Sequence, residues 1–229
     1  MFEKKNIVTI DGPSGVGKST VSRKVAAAVG FTYLDTGAMY RAVGLHLFRL
    51  QIDLEDKKNL GRALESLTLD LIPAAEEEND VRVVMNGEDV SEAIRTPEMA
   101  MVASRVSADA TVRQFLTEIQ KKYGSVGRIV AEGRDIGTVV FPDAAYKFFL
   151  DAHPEERARR RVLQLQRKGC RADFAEILAM TLKRDHQDRN RAVAPLRPAE
   201  DAVLIDTTEI DIEEVVNRIL VVVRGKISL

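Results

Sequence analysis

A glycine-rich stretch near the start of the chain, residues 12–19 (GPSGVGKS), constrains the fold more than any other feature. It fills every fixed position of the pattern G-x-x-x-x-G-K-[ST]. A short β-branched run at residues 6–10 precedes it, and apolar side chains at helical spacing follow it as far as residue 29. Because this pattern wraps phosphate when it joins a strand to a helix, the chain is predicted to open with a phosphate-binding βα unit.

The chemistry of this loop predicts a nucleoside triphosphate site. Glycines let successive backbone N–H groups curl around a phosphate, and the helix N-terminus adds a partial positive charge. Lys18 is expected to reach the β- and γ-phosphates, and Ser19 to hold Mg²⁺ through its hydroxyl. The alternative is a glycine-rich turn that matches the pattern by chance. The predicted ATP-binding loop comprises Gly12, Pro13, Ser14, Gly15, Val16, Gly17, Lys18, Ser19 and Thr20.

Such a loop occurs in GTP switches and ATP-driven machines as well as in kinases. The tetrapeptide N-K-x-D, with which guanine-specific switches read their base, does not occur in the sequence. Remodelling ATPases are usually larger and work in assemblies. A chain of 229 residues with a separate insert therefore favours a small-molecule kinase.

Strand and helix patterns alternate along the chain, which predicts an α/β fold with a parallel sheet flanked by helices. Residues 67–96 differ, because they contain an acidic loop at 73–80 and the tight-turn pair Asn86-Gly87, and they predict a small antiparallel insert. Residues 97–123 are predicted to form one helix. Further strands are predicted at 31–34, 129–131, 146–150 and 203–205, and helix starts at Pro154, Asp173 and Asp211.

The formal net charge of −1 hides two segments of opposite sign. Residues 51–100 hold five Lys and Arg against thirteen Asp and Glu, whereas residues 153–197 hold twelve against six. The basic segment could serve as a nucleic-acid patch, but acids interrupt it and Phe174 is its one aromatic residue, where stacking platforms need several. A local pocket for one small anion is the favoured interpretation.

Several absences in the sequence bear on location. No apolar run approaches the roughly 18 residues of a membrane-spanning helix. The single cysteine, Cys170, suits a reducing compartment, and the N-terminal residues lack the apolar core of a secretory signal. These features predict a cytoplasmic protein that does not bind membranes. We also expect a monomer that does not bind nucleic acid.

Four further stretches resemble the bacterial cytidylate kinases, a family of nucleoside monophosphate kinases. They are residues 34–41 (LDTGAMYR), 87–95 (GEDVSEAIR), 132–142 (EGRDIGTVVFP) and 184–191 (RDHQDRNR). The likeness covers nearly the whole chain in the same order. It implies a P-loop kinase core, a monophosphate-binding lobe and a mobile helical lid. It also implies that the γ-phosphoryl group of ATP passes to CMP or dCMP with Mg²⁺.

The resemblance divides the chain into a core of residues 1–35, 108–152 and 192–229, a monophosphate-binding lobe of residues 36–107, and a lid of residues 153–191. The antiparallel insert near residues 67–96 matches the extra sheet of the bacterial enzymes.

Carried over to matching positions, the family pattern also assigns site residues. Lys18 is the expected catalytic residue, assisted by Arg134 and Arg184. Arg157 and Arg161 share one face of the predicted lid and are candidates for ATP contacts, with a solvated helix surface as the alternative. The implied CMP site comprises Thr36, Arg41, Ser104, Arg113, Arg134, Asp135, Arg184, Asp188 and Arg191.

Within that site, the resemblance implies that Ser104, Arg113 and Asp135 read cytosine, with Arg191 nearby. The chemistry agrees, because a carboxylate accepts from the N4 amino group and a guanidinium donates to N3 and O2. Uracil presents an oxygen at position 4, which a carboxylate would reject. The alternative for Asp135 is a structural cap or an ion pair with Arg134.

The remaining carried-over roles concern sugar, phosphate and metal. Arg41 and Arg134 are expected to contact the phosphate of CMP, and Arg184 and Asp188 are expected to hold the sugar. Many relatives have Ser at the position of Thr36, and the substitution retains the hydroxyl. Many relatives have Asp at the position of Glu132. The extra methylene of Glu132 shifts the carboxylate by about a bond length relative to that Asp, and the resemblance implies that it contacts Mg²⁺ through water. No general base is assigned, because the acceptor phosphate is mostly dianionic at neutral pH.

Two rival functions stay open at this point. One is a P-loop kinase of the same build for another small acceptor, such as UMP or shikimate. The other is a nucleotide-binding regulator that contacts RNA through residues 153–197.

Overall fold

The computed structural model of the chain describes residues 6–73, 80–167 and 169–225. The strands in these residues fall into two sheets. They are β1 (Ile7–Asp11), β2 (Thr32–Asp35), β3 (Leu69–Ile72), β4 (Arg82–Met85), β5 (Glu88–Asp89), β6 (Ile129–Gly133), β7 (Tyr146–Asp151) and β8 (Val203–Asp206). The larger sheet has the order β2-β6-β1-β7-β8, and all its neighbours pair in parallel.

Helices cover both faces of the larger sheet. In the described residues they are α1 (Lys18–Val29), α2 (Thr36–Arg49), α3 (Lys57–Glu65), α4 (Pro97–Val106), α5 (Ala110–Gly124), α6 (Pro154–Arg167), α7 (Phe174–Asn190) and α8 (Ile212–Arg224). Two clusters of buried apolar side chains form the core, and successive side chains of β1 point alternately into one and the other. Ile7 packs in the cluster with α2 and α5, and Val8 packs in the cluster with α1 and α8. This burial on both faces explains why β1 is buried along its length and apolar at Ile7, Val8 and Ile10.

Local signals placed several element ends correctly. Gly30 ends α1 in the left-handed conformation, with φ 65°. Pro154 opens α6, and the side chains of Asp173 and Asp211 accept backbone N–H groups at the starts of α7 and α8. The predicted parallel strands are confirmed at all five positions.

The predicted antiparallel insert is also confirmed, as the sheet β3-β4-β5. Asn86 and Gly87 connect β4 to β5 with φ values of 50° and 81°, the geometry of a two-residue hairpin turn. The Asn86 side chain accepts the N–H of Thr68 at 2.8 Å, which ties the turn to the start of β3. Most of the predicted acidic loop, residues 74–79, lies outside the described residues.

The prediction of one helix over residues 97–123 is wrong, because the chain breaks between α4 and α5 at residues 107–109. The carboxylate of Asp109 accepts the N–H groups of Thr111 and Val112, and so starts a new helix. The break leaves the Ser107 carbonyl open to accept from the Arg113 side chain at 3.1 Å. None of the helices in the described parts of the chain is long and apolar enough to cross a membrane.

Candidate active site

The site residues gather at the carboxyl ends of the parallel strands, the edge at which open α/β sheets bind ligands. There β1 leads into the glycine-rich loop, β2 ends at Asp35, and β6 ends at Gly133, directly before Arg134 and Asp135. The register between strands holds these ends level, since Asp11 pairs with Gly133 and Asp35 with Glu132. Sequence segments 100 residues apart therefore meet in one place.

The glycine-rich loop follows β1 in a conformation that needs glycine. Gly12 has φ 150°, and a Cβ there would lie 2.1 Å from the carbonyl oxygen of Leu150. Gly15 has φ 87°, and a Cβ there would press on the Arg157 side chain at 3.2 Å. Thr207 supports the loop from the side by donating to the Val16 carbonyl at 3.3 Å.

Lys18 lies inside the loop at the start of α1. Its side chain is buried, and its ammonium group donates to the carbonyl oxygen of Pro13 at 2.6 Å. Burial lowers the pKa of Lys18 well below its usual value, and the nearby charge of Arg134 lowers it further, whereas Glu132 raises it. Among the described residues the ammonium has one hydrogen-bond acceptor, a neutral carbonyl oxygen, so an anion bound at the loop would stabilise it.

An oxygen-rich group lies beside Lys18. The hydroxyl of Tyr33 donates to the Glu132 carboxylate, and the Ser19 side chain favours the charged form of that carboxylate. Burial raises the pKa of Glu132, and the charge of Asp35 raises it further. Across the described residues, no group of three His, Cys, Asp or Glu could hold a metal ion alone. Mg²⁺ commonly takes one or two protein oxygens and completes its shell with phosphates and water, so these donors fit Mg²⁺ bound together with ATP.

Thr36 and Arg41 belong to α2, which begins where β2 ends. The Thr36 hydroxyl donates to the backbone carbonyl of Glu132 at 2.6 Å and is buried. Asp35 caps the helix by accepting the N–H of Ala38 at 2.8 Å, and its other oxygen lies 3.3 Å from the Arg41 guanidinium. The cap therefore also orients Arg41.

Three of the predicted base-reading residues, Arg113, Asp135 and Arg191, lie in contact with one another. Asp135 is buried, and its two oxygens accept from Arg113 and Arg191, the latter at 3.2 Å. Arg113 also lies over the Tyr40 ring, with 5.7 Å from its guanidinium carbon to the ring centroid. Ser104 lies in the last turn of α4, next to the break that holds Arg113. The cluster presents one carboxylate between two guanidinium groups.

A second cluster joins α7 to the end of β6. The Nε of Arg134 lies 3.0 Å from an Asp188 oxygen. Burial opposes ionisation of Asp188, but Arg134 and Arg184 outweigh it and lower the pKa of that carboxyl. Burial and the charge of Arg134 lower the pKa of Arg184 to about 10. The Nε of Arg184 is buried and has no hydrogen-bond partner within the described ranges. The cluster therefore offers a bound anion a cationic N–H donor.

The two lid arginines differ in their surroundings. Arg157 lies beneath the loop and makes four hydrogen bonds, to the carbonyls of Ala152 and Ser14 and to both oxygens of Asp185. Arg161 is more exposed and donates to Gln164 on the same helix. Whether either residue meets ATP stays a prediction.

Sequence reasoning missed three participants. Asp185 neutralises Arg157, and Tyr33 holds Glu132. Asp11, the last residue of β1, accepts the N–H groups of Ile136 and Gly137, at 2.9 and 2.7 Å. Burial raises the pKa of Asp11 to about 6, partly offset by these hydrogen bonds. A charged residue at the end of an otherwise apolar strand was the available signal for Asp11.

A parallel sheet with a phosphate loop after its first strand, an inward lysine in that loop and a cationic second site beside it defines a P-loop kinase. A sequence model described as "Cytidylate kinase" matches residues 8–225 of the chain. The chain belongs to the cytidylate kinase family.

Individual relatives agree in length as well as in sequence. The cytidylate kinase of Carboxydothermus hydrogenoformans is 48% identical over 219 residues, which are 96% of this chain and 97% of the relative. That of Syntrophotalea carbinolica is 50% identical over 223 residues, 97% of this chain and 93% of the relative. An uncharacterized protein from Eubacterium ventriosum has a solved structure with a TM-score of 0.51 at 13% identity, covering 97% of this chain and 99% of that one. This last likeness concerns the fold alone.

Proposed function

We propose that the chain transfers the γ-phosphoryl group of ATP to CMP or dCMP, giving ADP and CDP or dCDP. The observation that carries this proposal is the buried Asp135 carboxylate between Arg113 and Arg191, close to a phosphate loop that holds Lys18. Membership of the cytidylate kinase family supports it independently.

The base pocket has the complement of cytosine. A carboxylate accepts from the exocyclic amino group, and guanidinium groups donate to the ring nitrogen and carbonyl oxygen that face them. Uracil would place its O4 against the Asp135 carboxylate and leave both polar groups without a donor. Unpaired buried polar groups make such rejection strong, which favours CMP over UMP.

Phosphoryl transfer to the acceptor phosphate requires positive charge around the phosphates, and it does not require a general base. The acceptor phosphate is already largely dianionic at neutral pH, so the reaction requires two anions to be brought together and the transferring group stabilised. We assign this role to Lys18, Arg134 and Arg184, with Arg41 on the CMP phosphate. Burial lowers the pKa of Lys18 and of Arg184, and the nearby charge of Arg134 lowers both further, so bound phosphate would relieve a repulsion that already exists in the protein.

The remaining proposed contacts rest on the resemblance to the family and on the spacing of the lid arginines. Thr36 borders the monophosphate, Ser104 the base, and Asp188 the sugar together with Arg184. Residues 12–20 cradle the ATP phosphates, with Arg157 and Arg161 extending that side from the lid. The proposed division remains a core of residues 1–35, 108–152 and 192–229, a monophosphate-binding lobe of residues 36–107 and a lid of residues 153–191.

Magnesium is the proposed metal partner of ATP. The Ser19 hydroxyl would hold it directly, and Glu132 through water. When bound, the ion supplies positive charge at the β- and γ-phosphate oxygens. We also propose that the enzyme is a cytoplasmic monomer. The single cysteine, Cys170, supports a reducing compartment.

A panel of acceptors tests the proposal. ADP release with ATP and Mg²⁺ is measured for CMP, dCMP, UMP, AMP and shikimate. We expect turnover with CMP or dCMP well above that with the other three. A rate with UMP or shikimate that exceeds both cytidylates would assign the fold to another acceptor. Tight, salt-sensitive RNA binding without turnover would favour the regulator instead.

A further inference from the structure

The end of β1 carries a buried carboxylate that the proposed mechanism does not use. Asp11 is 4% exposed, and its two oxygens accept the backbone N–H groups of Ile136 and Gly137 at 2.9 and 2.7 Å. These residues lie 125 and 126 positions further along the chain. Asp11 thereby connects the strand before the phosphate loop to the segment directly after Asp135.

The two N–H groups open a short π-helical turn, Ile136–Val140. The first N–H groups of any helical turn have no partner inside it, and the side chain of the preceding residue commonly accepts one of them. Here the preceding residue is Asp135, but among the described residues its carboxylate makes no hydrogen bond to the turn. It accepts from Arg113 and Arg191 instead.

Asp11 thus does the capping that Asp135 would otherwise do. A free aspartate at the start of a helical turn is attracted by two unsatisfied N–H groups and by the partial positive charge there. Because Asp11 already accepts both N–H groups, the Asp135 carboxylate has no free donor at the turn. It therefore remains hydrogen-bonded to the two guanidinium groups.

Close packing keeps the turn within reach of Asp11. A Cβ at Gly137 would lie 2.8 Å from the Thr9 hydroxyl and 3.4 Å from an Asp11 oxygen. Only glycine therefore lets the backbone approach β1 this closely. Asp11 pairs with Gly133, which defines the register of β6 against β1 and so fixes the position at which the turn begins.

We propose that Asp11 is a positioning residue for cytosine recognition, which holds Asp135 in its base-reading orientation by capping the turn that follows it. The inference rests on the proposed function and adds a residue to its specificity. It also distinguishes Asp11 from the phosphate loop next to it: its effect should fall on the acceptor nucleotide rather than on ATP.

The variant Asp11→Asn tests this, because it keeps the shape and replaces one acceptor by an amide that faces an N–H donor. The kcat/KM values for CMP and UMP and the KM for ATP are measured. We expect the CMP:UMP ratio of kcat/KM to fall about tenfold, while the KM for ATP stays unchanged. Asp56→Asn is the matched control, because Asp56 caps α3 in the same chemical way and lies outside the site. The CMP:UMP ratio of kcat/KM in Asp56→Asn should equal that of the wild type.

A second variant, Gly137→Ala, acts from the other side by pushing the turn away from Asp11. It should lower the same ratio, with thermal unfolding recorded for both variants to show that they are folded. An unchanged ratio in the folded variants overturns the inference. So does an equal loss for CMP and UMP with a raised KM for ATP, because Asp11 would then act through Lys18. A wild type that does not discriminate CMP from UMP overturns the proposed function as well.

Discussion

Arg157 and Asp185 form a two-point ion pair beneath the phosphate loop. The Nη1 atom of Arg157 lies 3.0 Å from an Asp185 oxygen and 3.1 Å from the carbonyl oxygen of Ser14. Arg157 is 2% exposed, the largest of the side chains that are almost fully buried among the described residues. The pair links α6 and α7 to the loop, so movement of these helices must affect the loop.

Removing the carboxylate should destabilise the protein. Asp185→Ala would leave a buried guanidinium without its counter-charge, a change that typically costs about 3–5 kcal/mol. The free energy of unfolding in urea measures it. Glu156→Ala is the control, since Glu156 pairs with Arg159 and Arg160 on the α6 surface and should cost at most about 1 kcal/mol. Similar losses in both variants would contradict the structural role of the pair.

Removing the loop ammonium should abolish most turnover. In Lys18→Ala we expect kcat to fall about 10²–10³-fold, because a charge that stabilises the transferring phosphoryl group is lost. Circular dichroism should show an unchanged fold. Lys24→Ala, which alters a lysine further along the same helix that pairs with Glu213, should retain wild-type kcat. Wild-type turnover in Lys18→Ala would remove this residue from the catalytic group.

Changing the base-reading carboxylate should change selectivity more than rate. Asp135→Asn introduces an amide that can donate to O4 of uracil, so the CMP:UMP ratio of kcat/KM should fall by about 10²-fold or more. The comparison is made by steady-state kinetics with both nucleotides. Asp143→Asn replaces an exposed aspartate in the same region and should leave the ratio as it is. A constant ratio in Asp135→Asn would place Asp135 outside the base pocket.

The raised pKa of Asp11 predicts a pH dependence of stability. Its pKa is about 6 in the folded protein, against an ordinary value of 3.8. Between these values the folded protein keeps a proton that the unfolded chain releases, so this group's contribution to stability falls as pH rises. The free energy of unfolding of the wild type, minus that of Asp11→Asn, should drop by roughly 1–3 kcal/mol from pH 4 to pH 7.

Urea unfolding of both proteins at several pH values measures this difference. Carboxylates far from residue 11 titrate equally in the two proteins and cancel. A difference that stays constant, or that rises with pH, would contradict the raised pKa of Asp11.

The fold could be predicted where its causes are local. The Asn86-Gly87 turn and the Asp173 and Asp211 caps depend on neighbouring residues, and all three are confirmed. The break before α5 was missed because apolar spacing continues across it, and the capping signal of Asp109 is short. The turn at residues 136–140 could not be foreseen, because the carboxylate that caps it comes from Asp11.

The candidate site divides in the same way. The phosphate loop is a contiguous motif, and its lysine, hydroxyl and glycines were evident from the sequence. The contacts of Arg157 were not, because its helical spacing predicted either an ATP contact or a solvated surface, whereas packing of α7 against α6 buries it under Ser14. Burial of a charged residue depends on which distant segment brings its counter-charge, here Asp185.

The most direct test of the account is the formation of CDP. Purified protein is incubated with ATP, Mg²⁺ and CMP, and the nucleotides are separated by chromatography over time. We predict that CDP and ADP appear in equal amounts and that UMP in place of CMP gives a much lower rate. ADP formation without CDP, or equal rates with CMP and UMP, would contradict a cytosine-reading phosphotransferase.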